Sequence, residues 1–340
     1  MKMIKEKVLL IGGGGFIGHN LAIYLINKYN CDVLIADSFQ INNYLSVLSN
    51  SDNIPNPKLS KYILENRFDV IEKNNIKLKT VDARDYHLLT QTIKEFTPNY
   101  VVQLAAVSHA NRSNKNPHST FDHSFRTLEN ALDISKSNVK KFIYLSSSMV
   151  YGNFKKESVD EEEFCEPLGI YGALKLSGEI IVKSYHQVFG LPYVIVRPSA
   201  LYGERCISRR VSQIFIENAL TNKEILIDGD GTEKLDFTYI KDLIEGISLC
   251  LFKKNADNQT FNLTYGRSEE INALVQILKK NFKDLKINYK ARDKLVPFRG
   301  TLSVNKARKL LGYNPSWPIE KGYQEYIDWY KSIFANYSIK

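Results

Sequence analysis

The sequence predicts a doubly wound α/β fold, a parallel sheet covered by helices on both faces, joined to a smaller mixed α/β lobe. Three observations predict it. Short, continuous apolar runs alternate with helix-length amphipathic segments through the first two hundred positions, the pattern of strands buried on both faces. A glycine-rich turn joins the first apolar run to the first helix. Beyond about residue 200 the alternation becomes irregular, with short apolar runs at 225–227 and 260–263.

The elements follow in order. Val8–Ile11 is a buried-type strand, Gly12 to Gly18 is the turn, and His19 to Lys28 is a helix with apolar positions at Leu21, Tyr24 and Leu25. Cys31 to Ala36 is the second strand and ends at Asp37. Residues 38–65 are rich in Asn and Ser and contain Pro55 and Pro57, so they read as a long insertion with short helices. Strands follow at 76–81, Tyr100 to Ala106, Phe142 to Ser146 and Tyr193 to Val196, with helices at 86–96, 118–136 and 172–189. Further helical segments lie near 208–221, 242–253, 269–282, 304–311 and 319–334.

The 340 residues suffice for one large domain or two smaller ones. A hydrophobic fraction of 44% with 24% charged residues excludes wholesale disorder and fibrous architectures. The 46 basic residues against 37 acidic ones give a net charge of +9. They are interleaved with acids rather than gathered in a stripe, which argues against a nucleic-acid partner. Cys31, Cys165, Cys206 and Cys250 are far apart and form no CxxC pair. They fit neither a metal site nor a disulfide framework, and free thiols suit a reducing cytoplasm. No signal peptide is visible, and no run approaches the ~18 apolar residues of a membrane span. The expected location is cytoplasmic, with no membrane partner.

The turn carries the first chemical signal. Gly12, Gly15 and Gly18 follow a buried strand and open a helix, where glycine permits a tight turn and close backbone approach to a pyrophosphate. Gly12, Gly15, Phe16, Ile17 and Gly18 are therefore candidate cofactor contacts in a Rossmann-type unit. Asp37 stands 19 residues after Gly18, where an acid can bond both hydroxyls of an adenosine ribose and repel a 2′-phosphate, which favours NAD over NADP. Asp82 and Ala83 are candidates for the adenine ring. Leu104, Ala105 and Ala106 would let backbone approach the cofactor.

The second signal is Tyr171 with Lys175, which share a helix face at i and i+4. A free phenol has a pKa of about 10, and lowering it by ~3 units takes roughly 4 kcal/mol of phenolate stabilisation. A neighbouring ammonium and a positive nicotinamide can supply that, making Tyr171 a general base and Lys175 its partner and a ribose anchor. Ser147, within the Ser146–Ser148 run at the carboxyl end of a strand, precedes Tyr171 by 24 residues. Its hydroxyl can donate to a substrate oxygen and relay a proton.

Together these residues resemble the extended short-chain dehydrogenase/reductase family, in its nucleotide-sugar epimerase/dehydratase branch. The resemblance extends through Arg197-Pro198, Leu201-Tyr202-Gly203, Gly229-Asp230-Gly231, Asp236 to Tyr239, Arg299-Gly300-Thr301 and Lys306 to Gly312. It implies NAD and a nucleoside-diphosphate sugar, UDP- or GDP-linked. It implies that Tyr171 takes the proton of the sugar 4-hydroxyl as hydride passes from C4 to the nicotinamide, giving a 4-keto sugar. It also implies a homodimer paired through helices 118–136 and 172–189. The motif order divides the chain into a cofactor-binding domain at 1–196, to which 236–263 returns, and a substrate lobe at 197–235 and 264–340.

The subclass turns on two positions. Dehydratases of the branch resemble Thr-Asp-Glu and decarboxylases Thr-Ser-Glu where this chain has Ser147, Ser148 and Met149, and methionine is neither acid nor base. The segment 103–113 is itself dehydratase-like, but the missing acid bears directly on the chemistry. The favoured reading is 4-epimerisation. The alternative is 4-oxidation with release of the keto sugar. A dehydratase and a non-catalytic NAD-binding protein rank below both. Further substrate candidates are Arg299, Arg205 and Lys234 for the diphosphate, with Ser148, Ser199 and His109 near the sugar. Leu235 replaces an arginine usual before the Asp-Phe pair. Ser199 and His123 stand where asparagines are common, which points away from the commonest UDP-hexoses.

Overall fold

A computed structural model describes residues 5–49, 54–108, 110–293 and 295–338. Its centre is a seven-stranded sheet whose every pairing is parallel. Across the sheet the strands run Gln259–Asn262, Tyr193–Arg197, Lys141–Leu145, Tyr100–Gln103, Lys7–Ile11, Asp32–Asp37, Lys77–Thr80. The chain winds outward from Lys7–Ile11 in one direction and then restarts on its other side at Tyr100–Gln103. That reversal opens a crevice at the carboxyl ends of these two strands.

Alternate residues of the first strand serve opposite layers. Val8 and Leu10 pack with Leu21 and Leu25 of the helix Phe16–Tyr29 and with Ile244 and Ile247 of the helix Ile240–Phe252. Leu9 and Ile11 pack with Leu89 and Ile93 of the helix Tyr86–Phe96, Leu132 of Thr127–Ser135 and Val182 of Gly169–Phe189. Burial on both faces explains the uninterrupted apolar runs.

Three sequence expectations change. Residues 57–73 form one long helix, Pro57–Lys73, with a proline in its first turn, and it serves as the crossover between Asp32–Asp37 and Lys77–Thr80. A short helix, Tyr44–Ser49, precedes it. The segment is thus partly a crossover rather than an insertion. The strand expected over Tyr100–Ala106 stops at Gln103, because the N–H groups of Leu104 and Ala105 both turn to the Ile11 carbonyl. The helix expected over 118–136 is Pro117–Phe121 and Thr127–Ser135 joined by a π-helical turn at Asp122–Arg126.

Outside the sheet, Ile225–Asp228 pairs in parallel with Ile287–Lys290, flanked by helices Val211–Leu220, Ile271–Asn281 and Ile319–Ser338. Among the described residues no helix is long and apolar enough to cross a membrane.

Candidate active site

The glycine turn forms the floor of a cleft at the sheet's switch point. Gly15 caps the helix Phe16–Tyr29 without a side-chain hydrogen bond, and the first turn has no acid. The helix N-terminus therefore presents unengaged N–H groups and positive potential to the cleft. Gly12 has φ +77°, and a Cβ there would lie 2.5 Å from the Ala105 nitrogen, so only glycine lets these two backbones meet. The cleft is lined by Gly12, Gly15, Phe16, Ile17, Gly18, Asp37, Asp82, Ala83, Leu104, Ala105 and Ala106, which brings all the cofactor candidates outside the catalytic helix together.

Asp37 ends its strand with both carboxylate oxygens engaged. Gly14 N–H donates to Oδ2 at 2.9 Å and Phe39 N–H to Oδ1 at 2.6 Å. Burial pushes its carboxyl up, and these two donors pull it back. The Asp82 carboxyl is held below its ordinary value by Arg84, whose guanidinium approaches to 2.6 Å. The π-helical turn places His123 on the same cleft.

A second cavity, of about 560 Å³, opens beside the first, with Ile17, Leu104, Ala106, Ser108, Leu201 and Arg210 on the wall they share. Tyr171 and Lys175 reach it from the helix Gly169–Phe189. A Cβ at Gly172 would come within 2.7 Å of the Met149 carbonyl, so glycine there lets this helix approach the turn Ser148–Tyr151. Ser147 caps that turn, accepting the Met149 N–H at 3.2 Å.

Burial pushes the Tyr171 phenol up, while the Arg210 charge and a hydrogen bond from Ser147 pull it down. Lys175 donates to the Leu145 carbonyl, lies 5.0 Å over the Tyr144 ring, and is lowered to about 8 by burial. Glu179, one turn further along, pulls it back up. Glu179 is itself fixed by Arg197, at 2.7 and 2.9 Å, and by Ser146 at 2.5 Å. Phenol, hydroxyl and ammonium thus converge on one wall, backed by a buried ion pair.

Ser148, Ser199 and Arg299 also line the cavity. Among the described residues, the Ser199 Oγ and the Arg299 Nε are buried without a hydrogen-bond partner. Burial lowers Arg299 to about 10, and Arg210 adds to the effect. Two diphosphate candidates stand elsewhere. Arg205 is turned to Asn66 at 3.0 Å, and Lys234 pairs with Glu157 at 3.1 Å; neither lines either cavity. His109 lies outside the described residues. Sequence reasoning missed Arg209, Arg210 and Arg292 in the cavity and Arg67 in the cleft. The Arg209-Arg210 pair just ahead of an apolar helix was the one local signal.

The sequence model of the NAD dependent epimerase/dehydratase family matches residues 8–264. The chain belongs to this family. An uncharacterized UDP-glucose epimerase of Bacillus subtilis is 30% identical over 332 residues, covering 96% of this chain and 99% of that protein. The human dTDP-D-glucose 4,6-dehydratase is 26% identical over 350 residues, covering 98% and 92%. The crystal structure of UDP-glucuronic acid 4-epimerase from Bacillus cereus, in complex with UDP-glucuronic acid and NAD, superposes with a TM-score of 0.85 at 26% identity, covering 96% of this chain and 99% of that one. As a member of the family the chain is an NAD-dependent enzyme. Its cleft fits that cofactor: the helix start has no side-chain cap, which suits a pyrophosphate, and the Asp37 carboxylate lines the same cleft, which suits a ribose.

Proposed function

We propose that the protein is a nucleotide-sugar 4-epimerase that works through a transient 4-keto sugar. The observation that carries this reading is the convergence of Tyr171, Ser147 and Lys175 on a cavity in which the turn beside Ser147 carries no acid. Among the described lining residues, Asp228 pairs with Lys290 at 2.7 Å, Glu233 is held by Arg292, and Asp293 accepts the Leu295 N–H at 2.9 Å. Met149 and Ser148 occupy the turn beside Ser147. The site has the groups to move a proton at a hydroxyl, and Met149 offers no acid in the turn beside Ser147 for eliminating water.

Bound NAD supplies reversible hydride acceptance at C4. Tyr171 takes and returns the 4-hydroxyl proton, Ser147 donates to O4, and Lys175 holds positive charge beside the phenolate. Arg299 meets the diphosphate. Product analysis tests the reading: UDP- and GDP-hexoses, with NADH absorbance followed in parallel, should give C4 epimers without net NADH. A mass loss of one water would assign a dehydratase instead. Stoichiometric NADH with a free keto sugar would assign a 4-dehydrogenase.

The same reading includes a homodimer. The helix Gly169–Phe189 leaves Ile180 57%, Val188 71% and Phe189 49% exposed, and Phe121 on the neighbouring helical run is 46% exposed. Apolar side chains on two adjacent helices suit a second copy of the chain. Light scattering should give twice the chain mass, and Ile180→Glu should shift it toward the monomer.

A further inference from the structure

The cavity's cations are unequally matched. Lys290 pairs with Asp228 at 2.7 Å, Arg292 pairs with Glu233, Arg209 pairs with Glu217 at 2.6 Å, and Lys175 donates to the Leu145 carbonyl. Arg210 and Arg299 form no ion pair among the described residues. Arg299 keeps a buried Nε without an acceptor, and the side chain of Arg210 donates only to the Ser108 carbonyl, at 3.3 Å. The Arg210 charge adds to the cost of keeping Arg299 charged. Glu233 offsets part of the Arg299 charge, and a guanidinium without an ion-pair partner on a cavity wall favours an anionic ligand.

Their positions differ. Arg299 lines the inner cavity alone, whereas Arg210 stands on the wall shared with the cofactor cleft, and its charge is felt at the Tyr171 phenol. The reacting carbon must lie where that phenol and the cleft meet. The diphosphate lies on the far side of the sugar ring, at C1. A guanidinium near C4 therefore faces the sugar, and C5, the neighbour of C4, carries C6. Ser199 adds a buried hydroxyl with no partner in the same cavity.

Building on the epimerase reading, we propose that Arg210 is a specificity-determining residue that pairs with a carboxylate at C6 of the sugar, so that the substrate class is a nucleoside-diphosphate uronic acid. Ser199 donates its free hydroxyl to the same carboxylate.

The test uses calorimetric titration of the NAD-loaded protein with UDP-glucuronate, UDP-glucose and UDP, and in parallel with GDP-mannuronate and GDP-mannose. The wild type should bind the uronic acid of one pair about tenfold or more tighter than its hexose, the scale of a hydrogen bond to a charged group. Arg210→Gln should erase that preference and leave hexose and nucleotide affinities within about twofold, and Arg210→Lys should restore part of it. Ser199→Ala should give a smaller loss confined to the uronic acid, which keeps the idea testable should the arginine variants fail to fold. Equal weakening of uronic acid, hexose and nucleotide would make Arg210 a diphosphate contact, and loss of bound NAD would make it a cofactor contact. Either outcome, or a wild-type preference for the hexose, overturns the proposal. The same samples are examined for C4 epimers. Their absence with the binding preference intact would sink the epimerase reading alone.

Discussion

The cofactor cleft and the cavity beside it share a wall, yet they differ in how many polar groups they leave without a partner. In the cleft, Asp37 accepts two backbone N–H groups, the Gly14 carbonyl accepts both Asn43 at 3.0 Å and Arg67 at 3.0 Å, and Asp82 is held by Arg84. In the cavity, Ser199 Oγ and Arg299 Nε are buried with no partner, and Arg210 has no counter-ion among the described residues. Arg67 Nε is the cleft's exception. The cleft's groups brace the fold as well as face the ligand, while these three groups of the cavity do not brace it. Their removal should therefore be felt in different measurements.

The largest effect expected is on chemistry alone. Tyr171→Phe should lower kcat by about 10²–10⁴-fold, the range for general acid–base groups, with the melting temperature and bound NAD unchanged. A variant retaining more than about a tenth of wild-type kcat would remove Tyr171 from the mechanism.

A paired substitution tests the comparison directly. Arg299→Gln should raise KM for the nucleotide sugar by about 10–100-fold, the worth of a charged hydrogen bond, while leaving the melting temperature equal or higher, since it deletes a buried unpaired cation. Asp37→Ala should destabilise the fold by about 1–3 kcal/mol, because Gly14 and Phe39 lose their acceptor. Denaturant titration of both variants reads the contrast. Equal stability losses would erase it.

The smallest effect is a shift of a pH limb. Lys175 is lowered to about 8 by burial, so its ammonium is present below that pH and lost as pH rises through it. kcat/KM of the free enzyme should therefore fall on the alkaline side near pH 8. Glu179 pulls the ammonium's pKa up, so Glu179→Gln should move the limb to lower pH. A limb that stays in place would show that Lys175 does not carry it.

Much of this was legible in the sequence. The glycine turn and the first strands are marked by continuous apolar runs, and the helix Tyr86–Phe96 begins and ends where its periodicity does, capped by Asp85. The convergence of Tyr171 and Ser147 follows from a helix and a strand end that the sequence marks separately. What was hidden depends on distant approach. Arg210 meets the Ser108 carbonyl across 102 residues, and Arg67 meets the Arg205 carbonyl across 138, pairings with no local period to betray them. The helix Pro57–Lys73 was obscured by the Asn- and Ser-rich stretch before it, and it is held by Ile63, Leu64 and Ile71 against the core rather than by its own polar composition. Arg205 and Lys234 were plausible by charge alone, and partners unseen in the sequence draw them away from the cavity.

Arg67 also bears on how long the cofactor stays. One of its terminal nitrogens holds the Gly14 carbonyl at 3.0 Å and the other holds the Arg205 carbonyl at 2.6 Å, fastening the glycine turn to the chain that follows Tyr202-Gly203. Ser38, Ile41 and Asn42 of the same crossover line the cleft. Departure of the dinucleotide that displaced this crossover would have to break those bonds, which would slow its exit. Under the proposed epimerisation, in which the hydride is handed back in every cycle, a slow exit loses nothing. On that reading the dinucleotide should stay with the protein through purification, which analysis of the nucleotide released on denaturation checks.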